Sequence, residues 1–266
     1  MPWESAVSRD SIAERSAPAI LLIGLVALWA FVIRAFNVPV YLFPGPGAIW
    51  HAFIAHAPLL ASSALVTIKI TLGAFIIAII AGVGIALAFS ASRILSAAAF
   101  PIVIALQVTP IVAIAPLIIV WCGIDRPQLA MLILAAIVAF FPILANTMVG
   151  LRATDPGLRA LFQLYGASNY ERFIRLQIPS ALPYLLSGLK VSGGLALVGA
   201  VIAEFVAGSG ASQGLAFRII EAGNRLEIPS MFAALFLLTA LGLALYGLLS
   251  LLERWALGGW HESQIA

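Results

Sequence analysis

Apolar residues in this chain do not alternate; they gather into unbroken runs separated by short polar stretches rich in Gly and Pro. A run of roughly 18 or more such residues is long enough to cross a bilayer as a helix. The pattern predicts six spans, at roughly 18–36, 60–90, 95–121, 128–150, 182–207 and 230–254. Without strand-like alternation the expected fold class is an all-α integral membrane protein rather than a barrel. Between the first two spans, "NVPVYLFPGPGAIWHAFIAHAP" carries Pro39, Pro44, Pro46 and Pro58, which break helix, and aromatic rings suited to headgroup depth. That segment is expected at or outside the membrane interface.

Composition strengthens this picture. Of 266 residues 63% are hydrophobic and 9% charged, against about a quarter charged in soluble domains, and mean hydropathy is +1.11. The net charge of +3 comes from scattered residues, not from a patch fit for nucleic acid. Those residues instead orient the chain. With the N-terminus inside, Arg9, Arg15, Arg93, Arg152, Arg159, Arg172, Arg175 and Arg254 fall on the cytoplasmic side, against Arg34, Arg126, Arg218 and Arg225 near the outer side. Both termini are thus expected in the cytoplasm: 1–17 as an N-terminal segment, 18–255 as the transmembrane domain, 256–266 as a tail. The first run lacks the shorter apolar region and small-residue cleavage site of a signal peptide, so it reads as an uncleaved span. Cys122 alone builds no disulfide framework, and His51, His56 and His261 lack the mixed ligand set of a metal site.

The polar break at 152–181 has its own architecture. Asp155 and Pro156 suit the start of a helix, Leu158, Leu161, Phe162 and Tyr165 share a face, and Gly166 suits a left-handed end. Ser168 and Glu171 then have capping-box spacing, Tyr170, Phe173, Ile174 and Ile178 share a second face, and Pro179 and Pro183 mark the turn into the next span. Leu161, Phe162, Phe173 and Ile174 are expected to form the core of this pair. Two roles fit it: an amphipathic segment resting on lipid, or a rigid knob that passes a partner's motion into the membrane.

"YGASNYERFIRLQIPSALP" resembles the cytoplasmic EAA loop of importer-type ABC transporter permeases: Gly166 matches the loop glycine, and Leu176, Ile178 and Pro179 match its ending. The Glu-Ala-Ala positions hold Ala160, Leu161 and Phe162 instead. "LQVTPIVAIAPLIIVWCGI", "FFPILANTMVGL" and "AEFVAG" look like the branch that imports nitrate, sulfonates and taurine. That branch also holds importers of thiamine-precursor pyrimidines and riboflavin.

The resemblance implies a type I importer permease in a bacterial inner membrane, paired with a second permease subunit as a homodimer. Cytoplasmic ABC ATPase subunits would bind ATP and Mg, and an extracytoplasmic substrate-binding protein would deliver the solute. The chain itself would be non-catalytic and hold no cofactor; in agreement, no GxxxxGK[ST] stretch occurs in it. Expected ATPase-coupling contacts are Tyr165, Gly166, Ala167, Ser168, Asn169, Tyr170, Glu171, Arg172 and Pro179. Polar side chains inside spans are costly and tend to face a cavity or partner, which nominates Lys69, Gln107, Thr109, Asn146 and Glu204 as pathway-lining. Gln107 and Thr109 lead, beside Pro110 in a span also interrupted at Pro101 and Pro116. Lys190 is expected to snorkel from the inner end of its span and Glu204 to reach the outer interface. Gly188, Ser192, Ala196 and Ala200 form a small-residue stripe suited either to packing within one subunit or to a dimer seam. An ion-coupled secondary transporter is the competing class, but Glu204 has no paired intramembrane carboxylate. Nitrate, sulfonate or taurine-like anions are the first substrate class, and a pyrimidine or riboflavin-like heterocycle the second.

Overall fold

The structure is a computed structural model that describes residues 4–208 and 213–258, with side chains from Ser16 onward except that of Arg93. Residues 1–3 of the expected N-terminal segment 1–17 and 259–266 of the expected tail 256–266 lie outside the described residues, as does the glycine-rich stretch 209–212. The described residues form helices only: α1 Glu4–Ala35, α2 Pro46–Ala55, α3 Ala57–Ala91, α4 Arg93–Val108, α5 Ile111–Cys122, α6 Pro127–Arg152, α7 Pro156–Leu164, α8 Asn169–Arg172, α9 Ile178–Ala207, α10 Leu215–Asn224 and α11 Ile228–Leu257. A π-helical turn, Phe173–Gln177, joins α8 to α9.

Among the described residues five helices are long and apolar enough to cross a membrane, and the bent α4–α5 pair taken as one broken span makes six. The third expected span, 95–121, is broken in two: α4 and α5 meet at an angle of 102°. The break sits at Thr109-Pro110, where Thr109 is extended with ψ 125, because a proline's ring disfavours helical backbone in the residue before it. Pro101 and Pro116, expected as further interruptions, lie inside α4 and α5. Pro46 and Pro58 likewise do not break helix but occupy the first turns of α2 and α3, where the missing N–H costs nothing.

The core is a three-helix stack of α3, α6 and α9, with Ile70, Ala74, Met131, Leu134, Ala135 and Ala200 buried where they meet. The α6–α9 pairing depends on absent side chains. A Cβ on Gly188 would lie 2.8 Å from the Asn146 Cβ, and one on Gly199 2.9 Å from the Ala135 Cα. The Ser192 hydroxyl donates to the Ala139 carbonyl at 2.7 Å across the same seam. The small-residue stripe of α9 therefore faces its own α6, and packing within the subunit is the reading that holds. Interhelical contact in lipid rests on such close approach, since tails offer little hydrophobic drive.

Candidate functional site

The knob at the start of α9 is built by local capping. The Asp155 carboxylate accepts the Leu158 N–H at 2.9 Å and starts α7. Gly166, at φ +71, ends it: the Gly166 N–H donates to the Gln163 carbonyl and the Ala167 N–H to that of Phe162, at 3.0 and 2.9 Å. This is a Schellman closure, which needs a left-handed residue at Gly166. The capping box then forms in full, with the Glu171 N–H donating to Ser168 Oγ at 3.2 Å and the Ser168 N–H to Glu171 Oε2 at 2.9 Å. The Ser168 N–H, and then its hydroxyl, hold the Glu171 carboxyl below its ordinary value.

Two expectations fail here. Pro179 does not stop the second helix, which runs without a break from Asn169 to Ala207. The π turn just ahead of Pro179 widens the helix where the proline supplies no N–H and its ring crowds the preceding turn. Nor do Leu161 and Ile174 form a core: they are 45% and 41% exposed, whereas Phe162 and Phe173 are half-buried. With Leu164 and Tyr165 more than four-fifths exposed and Tyr170 at 73%, the knob presents an uncovered apolar face.

At the far end of α9 lies Glu204, which is buried within the protein at 0% exposure. Its carboxylate accepts from the Thr67 hydroxyl at 2.7 Å and from the Ala216 N–H at 2.8 Å, and Thr67 Oγ1 in turn accepts the Leu215 N–H at 2.9 Å. Glu204 thus caps α10 from another helix, and a Cβ on Gly214 would collide with its carboxylate. Beside it Arg218 donates through Nε to Ser63 Oγ at 3.0 Å and pairs with Glu221, which also holds Arg225.

The remaining nominated side chains do not converge with Glu204. Asn146 is half-buried and donates to the Pro142 carbonyl at 2.8 Å within the α6–α9 seam. Lys69 is exposed on α3. Gln107 is exposed and Thr109 half-buried at the α4–α5 break, where the Thr109 hydroxyl donates to the Ala105 carbonyl at 2.7 Å. Lys190 does not snorkel freely; it pairs with Glu253 of α11 and lies over the Tyr246 ring at 5.7 Å. The sequence reading missed Thr67, Glu253 and the α10 N-terminus, because a lone threonine or carboxylate in an apolar run carries no local signal of its distant partner.

Residues 78–257 match the family described as binding-protein-dependent transport system inner membrane component. The formylaminopyrimidine transport permease protein of Halalkalibacterium halodurans is 30% identical over 93% of this chain and 96% of its own length. The riboflavin transport system permease protein of Chloroflexus aurantiacus is 34% identical over 88% and 87%. A putative aliphatic sulfonates transport permease of Bacillus subtilis is 31% identical over 56% and 52%. Among solved structures, one titled as an amino acid ABC transporter with histidines superposes with TM-score 0.63 over 76% of this chain and 96% of that one, at 23% identity.

Proposed function

We propose, from the premise that this chain belongs to the family of binding-protein-dependent transport system inner membrane components, that two copies of this ABC importer permease enclose a pathway bordered by the α4–α5 break. The observation that carries the reading is the break itself. Apart from the Ala105 carbonyl, which accepts from Thr109, and the Ala113 N–H, which reaches the Pro110 carbonyl, the break interrupts the helical hydrogen-bond ladder, and such backbone is tolerated at membrane depth only against protein or a watery cavity. Gln107 stands exposed beside it, so a second subunit or the pathway must cover that face. Family membership sets the ion-coupled secondary transporter aside.

The knob then receives the ATPase. Its exposed tyrosines and leucines supply apolar contact, and its caps keep it rigid. Tyr165, Gly166, Ala167, Ser168, Asn169, Tyr170, Glu171 and Arg172 form the turn and first turn that meet the partner, with Pro179 beyond them in the base of the same rod. Asn169 to Ala207 spans 39 residues, about 58 Å at 1.5 Å per residue. A push at the knob therefore reaches the opposite membrane face along one helix, where Glu204 passes it to α10. The knob lies on the cytoplasmic side by the distribution of Arg, and α10 faces the delivering protein.

For substrate we favour a flat heterocycle of the pyrimidine or riboflavin kind over a small sulfonate-like anion. Relatives named for such solutes match almost end to end, whereas the sulfonate relative matches about half the chain. The test is uptake by the reconstituted importer with its binding protein. Riboflavin or a formylaminopyrimidine should enter or compete, and taurine should not; the reverse order would return the anion to first place.

A further inference from the structure

Where the knob meets the end of α3, the structure forms a half-open cavity of about 520 Å³. Two guanidinium groups, those of Arg159 and Arg172, stand in its wall with the polar side chains of Ser90 and Gln177, and no carboxylate lines it. The Arg159 Nε is buried without a hydrogen-bond partner, and its Nη2 reaches only the Leu151 and Arg152 carbonyls, at 3.4 Å each. Arg172 has a neutral partner, Asn169 Oδ1. The two carboxylates nearest in sequence are committed elsewhere, Asp155 to the Leu158 N–H and Glu171 to Ser168. Two positive charges thus share one hollow with no counter-charge among the described residues, and a buried donor there lacks an acceptor. That arrangement favours an anion between them.

We propose that this cavity binds a phosphate group, and that an acidic phospholipid headgroup supplies it. Guanidinium groups match phosphate oxygens in pairs. Apart from Asn169 the remaining wall is apolar, with Leu87 in the last turns of α3 and Leu176 in the π turn at the base of α9. A headgroup seated there keeps its glycerol and first methylenes against those leucines and its phosphate against the arginines. The cavity lies between the knob and a spanning helix, takes in Asn169 and Arg172 of the turn that meets the ATPase, and leaves the exposed Leu164 and Tyr165 outside it. A bound lipid would brace the knob against α3.

Native mass spectrometry of the full-length chain in detergent, titrated with dioleoylphosphatidylglycerol or dioleoylphosphatidylcholine, tests this without ATPase or substrate, so failure leaves the transport reading untouched. Wild type should hold one phosphatidylglycerol about 30-fold more tightly than phosphatidylcholine, as two juxtamembrane arginines at about 1 kcal/mol each warrant. The double substitution R159Q and R172Q should bring the two lipids to about equal affinity. S90F, which intrudes on the hollow and keeps both charges, should weaken the preference, while R34Q, on the far end of α1, should keep it. Displacement of the lipid by inorganic phosphate from wild type alone would support the same site with a free anion as its source. Equal binding of both lipids by wild type, or an unchanged preference in R159Q/R172Q and S90F, would overturn the proposal.

Discussion

Removing the Glu204 carboxylate takes the acceptor from the Ala216 N–H and leaves Thr67 to fall back on the Ser63 carbonyl at 3.3 Å. A buried donor without a partner costs about 1–3 kcal/mol, so E204A should lose about that much and E204Q, which retains one acceptor, less; thermal melting of the purified chain measures both. Glu171 behaves oppositely, since its partners are all local. Its folded pKa lies below the ordinary 4.5, so the cap it contributes is fully present above that value and is lost only as pH falls through the lower folded one. Amide protection at Ser168–Arg172, corrected for intrinsic exchange, should therefore stay flat from about pH 8 to about pH 5; a decline across that window would contradict the capping geometry. These two glutamates also show what a sequence displays at this scale. Ser168 and Glu171 sit three apart and announce their bond, whereas Glu204 and Thr67 are separated by 137 positions and do not.

At the scale of elements, run length foretold how many helices cross and roughly where. It did not foretell how they bend. Pro110 breaks a span while Pro101, Pro116 and Pro142 lie within helices, and nothing local separates them, because neighbouring helices decide which kink is tolerated. Pro179 misled in the same way, since a widened turn absorbs it. The α6–α9 seam supplies a test with its own control. G188V and G199V place side chains where 2.8–2.9 Å is already occupied and should each destabilise by about 1–3 kcal/mol. G194V, on the same helix with nothing within 4 Å, should stay within about 0.5 kcal/mol. Equal effects at all three positions would mean that α9 does not approach α6 as described.

At the scale of the whole molecule, membership of the importer permease family joins a knob at one end of α9 to a capped helix at the other. The loop's amphipathic pattern could not by itself separate a lipid-resting segment from a docking one, because both bury an apolar face. The uncovered apolar face of the knob and the family together favour docking. In membranes, Q107C on a C122S background should cross-link to a second copy, whereas I80C, 70% exposed on α3, should not; the opposite pattern would move the subunit interface away from the α4–α5 break. The most direct measurement is coupled transport in proteoliposomes holding this chain, its ATPase and its binding protein. Wild type should couple ATP hydrolysis to uptake. G166P, which forces a negative φ where the chain needs +71, and E171K, which reverses the capping charge, should still insert but hydrolyse ATP without importing solute. Normal coupled uptake in both variants would contradict the account.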